Sequence, residues 1–263
     1  MDAESLADVR RDPASRSALH NNCSGKHVGM LALAQAEGWP LAGYERADHP
    51  LQQLMLRTVA ECCGVAADTV RLGIDGCSVP VFGLPLAAMA LGYARLAEAM
   101  ACGDRGAVSQ AAAPQAKEAS EARHPKEPVR ARALRRIGRA MAAEPVIVEG
   151  TGRLATDLML ATRGRIVAKS GAEGLLLVAD PRGSRGVAIK CEDGAMRAMG
   201  PAAVEVLESL GVLAAEEAGP LHAHRRPPVH DAAGHTVGWL EAHVRVAAGA
   251  PHPGAPVRVG EQE

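Results

Sequence analysis

The sequence predicts an α+β fold, an antiparallel β-sheet flanked by helices, and three observations carry that expectation. Apolar residues recur at three- and four-residue steps through much of the chain up to Ala143. Three short β-rich runs then follow one another, Ile166–Lys169, Leu175–Ala179 and Gly186–Cys191, the last two separated by the turn sequence Asp180-Pro181-Arg182-Gly183. A further helical stretch and a strand-like stretch close the pattern, and helices gathered around a meander are the mark of an α+β chain.

Taken in order, residues 1–19 are polar and without strong period, and read as a lead-in. Val28–Glu37 carries Met30, Leu31, Leu33 and Ala34 and is stopped by Gly38 and Pro40. Leu51, Leu54, Met55, Val59 and Cys62 line one side of a helix that starts at Pro50, a residue suited to the first helical position, and ends near Gly64. Arg71–Cys77 is strand-like, and Pro85 opens an Ala-rich helix running to Gly103. Residues 104–127 lose large apolar side chains and read as an exposed insertion. Pro128–Ala143 is a basic helix with Leu134, Ile137 and Met141 on one side. Val146–Val148 fits a strand or a loop, Leu154–Ala161 a helix, Met196–Leu213 another, and Thr236–Val246 a terminal strand.

Composition narrows the function classes. The chain has 263 residues, 48 % of them hydrophobic, a net charge of −1, and five aromatic residues: Trp39, Tyr44, Phe82, Tyr93 and Trp239. With so few stacking platforms and no basic excess, nucleic acid is not an expected partner. The N-terminus leads into no apolar run, and no stretch is long and apolar enough for a membrane span, so the expected location is the cytoplasm. In that reducing setting six cysteines are core thiols, metal ligands or nucleophiles rather than a disulfide scaffold.

Four clusters could carry chemistry. His20-Asn21-Asn22-Cys23-Ser24-Gly25-Lys26-His27 gathers reactive side chains just before an apolar helix. It fails the phosphate-loop pattern, because His20 stands where glycine is needed and His27 where a Ser or Thr would hold magnesium. An N-cap at Asn22 or Ser24 accounts for only part of it. Ile74-Asp75-Gly76-Cys77-Ser78-Val79-Pro80 puts a carboxylate and a thiol at a strand end, although a lone cysteine is more often a buried thiol. Gly150-Thr151-Gly152-Arg153 is a turn beside a guanidinium able to grip a carboxylate. Ala168-Lys169-Ser170-Gly171-Ala172-Glu173-Gly174 ends a strand in a lysine followed by a small-residue turn, a plain hairpin when taken by itself.

Together, and in this order, these strings resemble the bacterial type II-like L-asparaginases of the rhizobial, thermolabile class. The likeness runs from about His20 to about Val246, and His230–Gly238 is similar to that family's closing hairpin. It implies a domain over residues 20–246 followed by a tail at 247–263, with a serine–lysine, β-lactamase/glutaminase-like fold and hydrolysis of L-asparagine to aspartate and ammonia. It also implies one zinc ion on Cys23, Lys26 and Cys77, with a tetrahedral position left open. Asp75 would take the substrate's α-amino group, and Lys169 would be the active-site lysine of the strand. Ser24 and His27 would line the substrate, Arg153 is our candidate for its α-carboxylate, and a homodimer is the expected assembly.

One departure stands out. The resemblance implies an upstream Ser-x-x-Lys motif whose serine is the nucleophile, and no serine in this sequence has lysine at the third following position. The chain therefore reads as an N-terminally truncated member that is inactive by itself, or as a zinc- and amino-acid-binding relative without turnover.

Overall fold

The computed structural model describes residues 3–104 and 128–247. Predicted features in the insertion at 104–127 beyond Asp104, and in the tail beyond Ala247, lie outside the described residues. The contacts divide the chain into two units, Met1–Lys169 with Leu177–Val187, and Ser170–Leu176 with Ala188–Glu263.

In the first unit the lead-in is more regular than its sequence suggests: α1 spans Ala3–Arg11, and short 3-10 turns follow at Pro13–Ser15 and Ala18–His20. From Leu6 to Leu19 nearly every side chain is exposed, so helix propensity, not burial, shapes this segment. α2 runs Ser24–Ala36, which begins four residues before the expected start and takes Ser24, Gly25, Lys26 and His27 into its first turn. α3 spans Pro50–Cys63. Its N-cap is His49, whose ring accepts from the Leu51 N–H (3.2 Å) and whose other nitrogen reaches the Pro40 carbonyl (2.9 Å). Gly64 ends α3 in the left-handed region, and a Cβ there would meet Leu91 at 2.8 Å, so both backbone and packing ask for glycine.

Strand β1 (Arg71–Ile74) pairs antiparallel with β2 (Pro80–Gly83), a strand the sequence did not announce because Pro80 and Gly83 bound only four residues. Val79, at the foot of β2, joins Met30, Ala34 and Leu51 in a buried cluster against which Leu33, Trp39, Tyr44, Met55 and Cys77 pack. This cluster ties the hairpin to α2 and α3.

α4 (Leu86–Asp104) and α5 (Val129–Ala143) pack on each other. A Cβ on Gly138 would lie 2.5 Å from the Met100 sulfur and 3.3 Å from Leu96, which is why α5 presents a glycine there. Residues 145–149 form a short helix, α6 (Pro145–Glu149), where strand or loop was expected. Their β-branched run favours a strand, but Pro145 at the first helical position starts a turn, and Ile147 stays 82 % exposed with no sheet partner. α7 (Leu154–Ala161) is the predicted helix and buries Leu154, Ala155, Leu158 and Met159.

The meander is present as β3 (Val167–Gly171), β4 (Leu175–Asp180) and β5 (Arg185–Lys190), in that order across one sheet. In the second unit a 3-10 turn (Met196–Ala198) leads into α8 (Met199–Ser209), which buries Met199, Ala203, Val204 and Leu207. Short helices α9 (Ala215–Ala218) and α10 (His222–Arg225) follow. The predicted terminal strand shortens to β7 (Thr236–Trp239), paired with β6 (Pro228–His230) through a bulge between Val229 and His230. Beyond Trp239 the described chain forms no further strand.

The architecture is α+β, as expected, but the single helix-covered sheet is corrected. The described strands form three separate small sheets of two, three and two strands. No helix among the described residues is long and apolar enough to cross a membrane.

Candidate metal and substrate site

The first cluster is organised by a turn and a helix start. Asn21 accepts the Cys23 N–H on its side chain (2.8 Å) and the Ser24 N–H on its carbonyl (2.9 Å), which places Cys23 at the N-cap of α2. The second cluster is a tight loop between β1 and β2: the Asp75 N–H donates to the Val79 carbonyl and the Ser78 N–H to the Asp75 carbonyl, each at 2.9 Å. Ser78 holds φ at 78°, a left-handed conformation that costs a non-glycine residue about 1 kcal/mol or more.

Folding brings the two together across a separation of 52 residues. Oδ2 of Asp75 accepts from the Cys77 thiol at 2.9 Å and lies 3.9 Å from the Cys23 sulfur and 3.5 Å from Nζ of Lys26. Its other oxygen takes the Gly76 N–H at 2.9 Å. One donor atom each from Cys23, Asp75 and Cys77 lie within 4.8 Å of one another. Two soft sulfurs with an oxygen, and an amine on the same oxygen, suit a borderline ion such as Zn²⁺ better than the all-oxygen shells of Mg²⁺ or Ca²⁺.

The electrostatics of the cluster are coupled. The Cys77 hydrogen bond, then the Gly76 N–H and the Lys26 charge, hold the Asp75 carboxyl below its ordinary value. Burial, followed by the Cys77 contact, pushes the Cys23 thiol up. Partial burial works against the Lys26 cation, yet the neighbouring Cys23, Cys77 and Asp75 outweigh it and raise its pKa. Lys26 is thus an ammonium paired with Asp75, and must give up a proton before its nitrogen can act as a ligand. The sequence reading missed Asp75 as a donor on the same centre as the cysteines; the two-residue step Asp75-Gly76-Cys77 in one turn was the available signal.

The remaining predicted residues fall in different surroundings. His27, on α2, meets the Tyr44 hydroxyl at 2.6 Å through Nδ1, with the rings edge to face at 5.7 Å. Ser24 opens the same helix, half-buried. Arg153 is exposed at the N-cap of α7, and no hydrogen bond or ion pair among the described residues joins it to the cysteine cluster. Its loop is fixed by Thr156, whose hydroxyl donates to the Gly150 carbonyl at 2.7 Å.

Lys169, on β3, forms an ion pair at 2.6 Å with Glu149, a residue no motif had singled out. The Glu149 side chain is only 9 % exposed, and burial together with its charge pushes Tyr93 up to about 12. A glutamate directly before Gly-Thr-Gly-Arg was visible in the sequence, but nothing there linked it to a lysine twenty residues on.

A search of curated proteins finds no match to this chain. The L-asparaginase II family model matches residues 1–242, a span that takes in the lead-in as well as the cysteine cluster and Lys169. A match over that much of the sequence shows that the chain belongs to the L-asparaginase II family.

Proposed function

We infer that this chain is an L-asparaginase-family protein with a zinc site, of an amidohydrolase family acting on the side-chain amide of L-asparagine. The observation that carries the reading is the convergence of Cys23, Lys26, Asp75 and Cys77 on one centre in a chain of this family. Cys23, Lys26 and Cys77 would hold the ion, with Asp75 within reach of the same centre. When bound, zinc supplies a Lewis acid that draws polar substrate groups into place.

The protein's own groups do the rest. If Lys26 served as a ligand its nitrogen would be neutral, and Asp75 would then be open to pair with the α-ammonium of asparagine instead. His27, oriented by the Tyr44 hydroxyl, offers Nε2 to the substrate, and Ser24 a hydroxyl. Arg153 takes the α-carboxylate. Lys169, held by Glu149, stands as the active-site cation of the meander. We place the reaction in the cytoplasm of a homodimeric, serine–lysine type enzyme with a β-lactamase-like fold.

Hydrolysis through an acyl intermediate needs an activated hydroxyl, and these 263 residues contain no Ser-x-x-Lys pair. The polypeptide as given should therefore bind asparagine in the presence of zinc and release no ammonia. Calorimetry with L-asparagine and L-aspartate, alongside an ammonia assay on the same zinc-loaded preparation, tests both halves. Failure to bind either amino acid rejects the substrate assignment, and ammonia release by this chain rejects the reading that it binds without turnover.

A further inference from the structure

Cys23 and Cys77 stand on different elements, the first at the N-cap of α2 and the second in the loop between β1 and β2, yet their sulfurs lie within 4.8 Å of each other. Both are free thiols, and both are partly open to solvent. Cys62 and Cys63 make a different kind of pair: they are consecutive on α3, where neighbouring side chains point about 100° apart and do not face each other.

The bland account is that two core thiols happen to touch. Core thiols are closed off from water and inert. Cys77 does pack on the buried cluster of Met30, Ala34, Leu51 and Val79, but its thiol also donates to Oδ2 of Asp75 at 2.9 Å. The same oxygen lies 3.9 Å from the Cys23 sulfur and 3.5 Å from Nζ of Lys26. Two accessible sulfurs set against a carboxylate and a cation form a polar, reachable pair, the setting in which thiol chemistry proceeds.

The surroundings leave room for a bond. A disulfide needs its sulfurs about 2.05 Å apart, so one or both must move inward. Gly76 directly precedes Cys77 and Gly25 follows Cys23 by two residues, and a Cβ on either glycine would meet nothing within 4 Å. Open space therefore borders the backbone beside both cysteines, and a change of side-chain rotamer with a small shift of the β1–β2 loop closes the gap. Once the sulfurs are joined, Asp75 keeps the Gly76 N–H and Lys26 as partners, so the oxidised cluster is left with no unpaired charge.

We propose that Cys23 and Cys77 are a reversible dithiol–disulfide pair whose oxidation by a small-molecule disulfide shuts the metal site. The first cysteine to react attacks the small disulfide, forming a mixed disulfide and releasing one small thiol; the second cysteine attacks the protein sulfur of that bond, and the second small thiol leaves. Two electrons pass from the cysteines to the small disulfide, and the two cysteine protons end on the two released thiols. The bond removes both sulfur ligands at once, so disulfide and zinc exclude each other. The inference rests on the zinc reading only for what the bond shuts, and not for the bond itself.

The test is oxidation of the whole, chelator-treated chain by oxidised glutathione, followed by alkylation of the remaining thiols and peptide mapping by mass spectrometry. We expect a peptide pair joined through Cys23 and Cys77, lighter by two hydrogens and released by reduction. Cys77→Ser should lose that link and keep glutathione on Cys23, and an unchanged circular dichroism spectrum shows that the variant folds. Cys102→Ser, which removes an exposed thiol on α4, should link as the parent does. Zinc at ten times its dissociation constant leaves about one tenth of the chain metal-free and should slow the linkage about tenfold. Alkylated Cys23 and Cys77, or separate glutathione adducts on the two, overturn the proposal, and so does equally fast linkage in a chain shown to be zinc-saturated. A reduced chain that takes up no zinc fails the metal reading instead, and the peptide map still decides for or against the disulfide.

Discussion

Two aspartates in this protein each gather several partners, and they do so in opposite ways. Asp180 has no exposed side-chain surface and is saturated: Arg165 and Arg185 take its oxygens, and the Arg182 N–H adds a bond at 3.2 Å. Asp75 keeps 35 % of its side chain exposed and meets two thiols and an ammonium, groups that can each give up a proton. The first arrangement leaves nothing for a ligand to do except disrupt it. The second has donors that change partners when protons leave, which is what a metal or substrate site requires. Permanent cations around Asp180 and labile donors around Asp75 are the physical difference between the two carboxylates.

Asp180→Ala should show the larger effect on stability. It takes the Asp180 carboxylate away from the Arg165 cation, whose side chain is 19 % exposed. Breaking a buried pair from one side costs about 3–5 kcal/mol, and the partial exposure of Arg185 places this case near 3 kcal/mol. Urea unfolding at neutral pH measures it, and a loss under 1 kcal/mol would mean that Asp180 is not the keystone of its network.

Cys77→Ser should leave stability within about 1 kcal/mol, because the thiol is only half-buried and the hydroxyl can still donate to Asp75. Zinc affinity, by contrast, should fall by roughly a hundredfold or more, beyond the ten- to hundredfold that changes outside the ligand set produce. A competition titration with a chromophoric chelator reads it. Tight stoichiometric zinc in the variant would remove the cysteine cluster from consideration as the metal centre.

The contrast also has a pH signature. Cys23 and Lys26 both have raised pKa values, so at neutral pH each carries a proton that zinc would have to displace to bind there. Affinity should therefore climb between about pH 6 and 8, about tenfold per unit for each proton released. Asp75 acts in the other direction and in another window. Its lowered value means that its contribution is complete above the ordinary carboxylate value of 3.8 and is lost only as the pH falls through its folded value, so it stays constant across this range. Flat zinc affinity over those two units would show that Lys26 and Cys23 are not ligands.

How much of this was legible beforehand follows from the range of the forces involved. The helices at 50–63 and 154–161 and the meander could be read because their apolar periods, their prolines and the Asp180-Pro181-Arg182-Gly183 turn are local signals. The Cys23, Lys26 and Cys77 grouping came from the order of strings, not from any local rule. That Cys23 would cap a helix containing Lys26 could not be read, since no side chain caps that helix and Gly25 weakens its start. The residues that were missed, Asp75 as a shared donor and Glu149 beside Lys169, depend on contacts 52 and 20 residues apart. Such contacts exist only after α2 has packed against the β1–β2 loop and α6 has formed in place of a strand. Val146-Ile147-Val148 misled because β-branched residues favour strands wherever a partner strand exists, and among the described residues none pairs with them.

The smallest effect expected lies at the other predicted site residue. Tyr93 is held up to about 12 by burial first and by the Glu149 charge second. Glu149→Gln removes the second cause and leaves the first, so the Tyr93 midpoint should move down by a fraction of a unit and remain well above its ordinary value of 10.0. The chain has only two tyrosines, so absorbance near 295 nm followed against pH resolves the shift. Lys169→Met makes the complementary measurement, because losing the cation at 2.6 Å reduces the compensation of the Glu149 charge and should move Tyr93 further up. If both substitutions leave Tyr93 where it was, the Lys169–Glu149 pair is a surface contact that carries no field into the interior. If they move it in opposite directions, Glu149 is a charge shared by a buried phenol and the strand lysine, and Lys169 belongs with Asp75 among the groups held ready to change partners.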